Sequence, residues 1–107
     1  MKKEWMALAA VGAMLPGAAL AATTAEMQAL ADKSGCFSCH GMQSKVVGPG
    51  FAEVAARYKG DSQAAASLAK KIREGGKGAW GRIPMPPHGN LGEDDAKKLA
   101  EWVLGVG

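Results

Sequence analysis

The 107-residue sequence lacks an apolar run long enough to cross a membrane: Met6 to Leu15 falls well short of the ~18 residues a span requires. Cysteine is confined to Cys36 and Cys39, and histidine to His40 and His88. A structural zinc site needs four ligands, and the His40/His88 pair is badly spaced for a finger. No alternating β-branched run flanks the cysteines, so the βαβ surround of a thioredoxin-type dithiol is missing. Internal repeats and low-complexity tracts are absent too. Charge excess is small. Removing Lys2, Lys3 and Glu4 from the 13 basic and 10 acidic residues leaves 11 against 9, which argues against a nucleic-acid binder with its strong basic stripe.

What is present begins with an export signal. Lys2 and Lys3 make a positive start, Met6 to Leu15 a short apolar stretch, Pro16-Gly17 a break, and Ala19-Leu20-Ala21 a small-x-small cleavage site. Residues 1–21 therefore read as a secretory signal peptide and 22–107 as one small domain, expected in the periplasm with no stable membrane insertion after cleavage. The alternative is an uncleaved anchor. A domain this short, with one Tyr, two Phe and many Ala, cannot build a large core and needs a staple.

The staple is written in Cys36-Phe37-Ser38-Cys39-His40, the attachment signature of c-type haem. On one helical turn the two thiols share a face and can both reach the vinyl edge of a single haem, giving two thioether bonds. His40 follows on the same side, where its imidazole can rise beneath the iron as proximal ligand. One haem c per chain would then supply the centre of the core, and its loss should unfold the domain.

The rest reads as helix. Thr23 and Glu26 form a capping box for a first helix that runs to Gly35. Phe51 to Tyr58 carries Phe51, Val54, Ala55 and Tyr58 at helical spacing, stopped by Gly60. Asp61 caps a helix over Ser62 to Glu74, ended by Gly75-Gly76. The last helix, Glu93 to Leu104, has an acidic first turn and an apolar face of Leu99, Trp102 and Val103 suited to docking on the first. Between these last two lies a long structureless loop, Gly75 to Asn90. Within it Ile83 and Met85 both precede prolines, so Met85 is held on a stiff strap. Met42 is too close to His40 to cross the ring and Met27 belongs to the first helix, which leaves Met85 as the credible sixth ligand, against a gap-filling core role. Lys70, Lys71, Arg73, Lys77 and Arg82 form the densest basic patch, either a solvated helix face or a steering patch. His88 reads as a solvated loop histidine.

Taken together, the haem motif, Val47-Gly48-Pro49, Trp80-Gly81, Ile83-Pro84-Met85-Pro86-Pro87 and Leu99-Ala100-Glu101-Trp102-Val103-Leu104 resemble the small bacterial class I cytochromes c, most closely the c-551 type. The resemblance implies an all-α cytochrome c fold of four to five helices around haem, axial His40 and Met85, and electron transfer rather than enzymatic activity. It also implies that the Pro49 carbonyl takes a hydrogen bond from the His40 ring and that Trp80 donates its indole N–H to a propionate. A buried indole, with one donor and no acceptor, needs such an oxygen on chemical grounds as well. Two positions depart from the family. Lys71 stands where an arginine often assists the propionate, and a lysine lacks the planar fork; His88 stands where many relatives carry asparagine. The implied partners are redox proteins such as a quinol-oxidising cytochrome complex, a terminal oxidase, a nitrite reductase or a peroxidase, met by a monomer. Two alternatives stay open: a haem peroxidase or gas-binding cytochrome in which Met85 is labile, and a protein in which His88 replaces Met85.

Overall fold

The computed structural model describes residues 23–107; the signal segment and its cleavage site lie outside them. Helix α1, Thr24–Lys33, begins with a reciprocal cap in which the Glu26 N–H donates to Thr23 Oγ1 (3.0 Å) and the Thr23 N–H to Glu26 Oε1 (2.8 Å). The Thr23 backbone N–H, then its hydroxyl, hold the Glu26 carboxyl below the usual carboxylate range, so the acceptor is ionised. Gly35, at φ 84°, turns the chain out of α1 in a conformation that favours glycine. The haem motif follows not as an ordinary helical turn but as a tighter 3₁₀ turn, Cys36–Ser38, closed by the Cys39 and His40 N–H groups on the Cys36 carbonyl (3.1 and 3.0 Å).

Residues 41–50 form an irregular connection that is pinned by backbone bonds. The Val47 and Gly48 N–H groups donate to the Cys39 carbonyl (3.0 and 2.7 Å), and the Phe51 N–H to that of Gly41 (2.9 Å). Helix α2, Phe51–Arg57, follows, with Glu53 Oε1 accepting from the Gly50 N–H (2.7 Å). Helix α3 is Ala64–Glu74, two residues shorter at its start than predicted. Asp61 is the reason: its Oδ1 accepts from the Gln63 N–H (2.9 Å) and its carbonyl from the Ala64 N–H (3.1 Å), so Ser62 and Gln63 are spent in a turn before the helix. Helix α4 spans Glu93–Leu104, with Glu93, Asp94 and Asp95 in its first turn, as its sequence predicts.

The fold is all-α: four α-helices and one 3₁₀ turn, with two isolated β-bridges and no strand among the described residues. Helix α4 is the shared partner. It packs most extensively along α3 and also against α2 and α1. Its docking on α1, expected from its apolar face, runs through Leu99, which joins Met27, Ala31 and Leu91 in one cluster of buried side chains. Phe51, Val54 and Val103 make a second. Cys36, Phe37 and Trp102 touch both, and Phe51 meets the Phe37 and Trp102 rings edge-on (centroids 5.9 and 5.4 Å apart). The haem motif is thus built into the seam between the two clusters.

Candidate haem site

Both clusters wall a single cleft of about 230 Å³, to which Val54, Leu68, Ile72, Leu99 and Val103 contribute apolar side chains. Cys36, Cys39, His40, Pro49, Lys71, Trp80 and Met85, read from the sequence as site residues on four separate segments, all line it. Burial pushes the Cys36 thiol up, the opposite of the lowered value a reactive dithiol requires.

The His40 ring is fixed on two sides. Its Nδ1 lies 2.6 Å from the buried Pro49 carbonyl oxygen, an atom that only accepts, so Nδ1 carries the proton and Nε2 keeps its lone pair for a metal. Phe51 stacks on the ring (centroids 5.0 Å, planes 23° apart). Gly48 permits this approach, because a Cβ there would meet His40 Cε1 at 2.9 Å.

Met85 is held differently. The loop from Gly75 to Asn90, expected to be structureless, is stapled to the end of α3. Gly76 and Met85 exchange backbone hydrogen bonds in an antiparallel bridge (Met85 N–H to Gly76 O 2.7 Å, Gly76 N–H to Met85 O 3.1 Å). The His88 N–H donates to the Ile72 carbonyl (2.9 Å) and Arg73 Nε to that of Leu91 (3.0 Å). Gly75 makes the close approach possible: it adopts φ +76°, and a Cβ there would lie 2.5 Å from the Met85 carbonyl oxygen and 2.9 Å from the Pro87 nitrogen. Gly75→Ala is therefore expected to displace the strap and to weaken the sulfur-to-iron charge-transfer band of the ferric protein. An unchanged band would show that the strap's seat on α3 does not govern Met85.

His88 corrects the reading of a solvated loop histidine. Anchored through its backbone to Ile72, it is half-buried, and its Nδ1 is buried without a hydrogen-bond partner among the described residues. The basic patch also divides: Lys71, Lys77 and Arg82 line the cleft, whereas Arg73 turns to Leu91 and to Glu93 (3.5 Å). A residue not singled out in the sequence also belongs here. From the end of α2, Arg57 Nη1 donates to the Ala79 carbonyl (2.6 Å) and its guanidinium carbon lies 4.3 Å from the centre of the Trp80 ring. Nothing in the sequence flags a pair 22 residues apart.

Two thiols on one tight turn, an imidazole with a free Nε2, a thioether and apolar walls fit a flat iron macrocycle, and helices folded around such a cleft define a c-type cytochrome, an electron-transfer protein with one covalently bound haem c. The chain belongs to the cytochrome c family, whose model, described as Cytochrome c, matches residues 24–107, and within it to the class I c-551 type. It is 44% identical to cytochrome c-552 of Nitrosomonas europaea over 104 residues, 97% of each chain. It is 40% identical over 99 residues to cytochrome c-551 of Pseudomonas aeruginosa, covering 92% of this chain and 91% of that protein. The crystal structure of wild-type Nitrosomonas europaea cytochrome c552 superposes with a TM-score of 0.72 at 46% identity, over 75% of this chain and 99% of that one.

Proposed function

We propose that this chain is a periplasmic one-electron shuttle whose haem iron is held between His40 and Met85. The observation that carries the reading is the pair of restraints facing one cleft: an imidazole whose tautomer is set by the Pro49 carbonyl, and a thioether on a strap stapled to α3. Bound haem supplies the reversible one-electron oxidation and reduction of its iron. His40, unable to turn without losing Pro49 and Phe51, directs Nε2 into the cleft in either oxidation state. Met85, on a proline-stiffened strap, keeps its sulfur in place with little rearrangement when an electron moves. The neutral sulfur and the apolar walls favour the reduced form, which makes the protein a high-potential carrier. With His40 and Met85 both holding it, a bound haem would offer oxygen and peroxide no open position, which disfavours the enzyme reading.

Trp80 and Lys71 line the same cleft and would receive the polar edge of the macrocycle, the indole N–H and the ammonium both serving as donors, although Trp80, expected to be buried, is 39% exposed. Lys45, Lys77 and Arg82 line the same cleft as exposed Val47 and Ile83, so a partner with an acidic rim would be steered to an apolar contact. Such docking is brief, small in area and weakened by salt. Its partners are a quinol-oxidising cytochrome complex on one side and a terminal oxidase, nitrite reductase or peroxidase on the other. Export rests on residues 1–21, and no described helix is long and apolar enough to cross a membrane. Carbon monoxide offered to the ferrous protein is the test. Slow or negligible uptake, together with the sulfur-to-iron band in the ferric state, is the expected result; rapid uptake would point instead to a gas-binding or peroxidase protein.

A further inference from the structure

The bridge between Gly76 and Met85 divides the loop after α3 into two parts with separate supports. Residues 85–91 are the strap, tied to α3 through Gly76, Ile72 and Arg73. Residues 77–84 bow out between the bridge partners as a flap that lines the cleft and carries Trp80. Among the described residues, the flap's hydrogen bonds are one within itself, from the Gly78 N–H to the Gly81 carbonyl (3.1 Å), and one that leaves it, from Arg57 Nη1 to the Ala79 carbonyl. Arg57 adds a second contact on the same flap by laying its guanidinium over the Trp80 ring at 4.3 Å, inside the ~6 Å reach of a cation–π interaction. The ring of Tyr58, next to it in the chain, lies 5.8 Å from the same carbon.

We propose that Arg57 is a positioning residue for the haem cleft: by gripping Ala79 and Trp80 from α2 it holds the flap in place as a wall of the cleft, independently of the strap that carries Met85. The planar fork suits the task, because one edge donates to the carbonyl while the face lies on the indole, a combination that a lysine's point charge cannot reproduce. Without Arg57 the flap is anchored only at its two ends by the Gly76–Met85 bridge and is free to swing.

The test is the mature haem-bearing protein carrying Arg57→Ala or Arg57→Lys. Arg57 is an exposed position on a helix, where alanine preserves helix-forming tendency. In the reduced protein the Trp80 indole proton and the Gly78 amide are followed by NMR for hydrogen exchange, and the ring-current shift of the indole proton reports its distance from the macrocycle. Arg57→Ala is expected to speed exchange at both sites about tenfold or more and to reduce the ring-current shift. The Met85 and His88 amides and the ferric sulfur-to-iron band should be unchanged. Arg57→Lys is expected to fall between, since it keeps the charge and loses the plane. Unchanged rates at Gly78 and Trp80 would overturn the proposal. So would an acceleration that spreads equally to Met85 and His88, which would make Arg57 an ordinary stabiliser. A sulfur-to-iron band absent from the unsubstituted protein would instead count against Met85 ligation while leaving the flap result readable.

Discussion

Met85→Ala is expected to lower the reduction potential by on the order of 0.1 V or more while the haem stays attached, within the ~0.8 V over which axial ligands set haem potentials. A shift of 0.1 V corresponds to about 2.3 kcal/mol of lost preference for the reduced state. The structure makes this substitution unusually clean. At residue 85 the strap is held by backbone, through the Met85 N–H and carbonyl paired with Gly76 just past the end of α3, and not by the side chain. Alanine keeps both bonds, so the change removes the thioether and leaves its seat. The freed position should then accept carbon monoxide or imidazole within the mixing time, and the sulfur-to-iron band should vanish. Met42→Ala is the matching control. Met42 packs against the Phe51 cluster, two residues beyond His40, and its removal should leave the potential and the band in place. A Met85→Ala protein with an unaltered potential would exclude Met85 as a ligand.

Removing the haem is expected to be the most damaging change of all. A Cys36→Ser, Cys39→Ser double variant, unable to retain the macrocycle covalently, should lose most of its helical circular dichroism at 25 °C. Among the described residues no large side chain is fully buried, and five of the eleven buried apolar residues are alanines. The two clusters meet only through the half-buried Cys36, Phe37 and Trp102, and both leave apolar side chains lining the open cleft. Without the macrocycle, the apolar walls of the cleft, about 230 Å³ in volume, are left to water, a loss that a domain stable by only ~5–15 kcal/mol cannot readily absorb. Retention of a cooperative, strongly helical transition in the double variant would show that the polypeptide supplies its own core.

Helix α4 was legible because its signals agree: three acids at the start and Leu99, Trp102 and Val103 on one face. Helix α3 was legible except for its start, where the Asp61 side chain captures the Gln63 amide and delays the helix; an aspartate before a helix announces a cap or a turn equally well. Residue type and spacing marked His40 and Met85, which line one cleft, while the Pro49 contact of His40 was implied by the family resemblance alone. The seat of the strap was not marked, because the Gly76–Met85 bridge is made of backbone atoms that every residue owns. Nor was the half-burial of His88 visible, since its backbone bond to the Ile72 carbonyl is likewise made of atoms that every residue owns. Arg57 is the plainest case: its partners lie more than twenty residues away, and only the path of the chain brings α2 beside the flap.

The Gly76–Met85 bridge also isolates residues 77–84 from the atoms that hold the sulfur. A ring of chain closed at its neck could be lengthened, shortened or recoded, Trp80 and Pro84 apart, without disturbing the backbone pairing at its base, and a designer seeking to redirect the electron would graft here first.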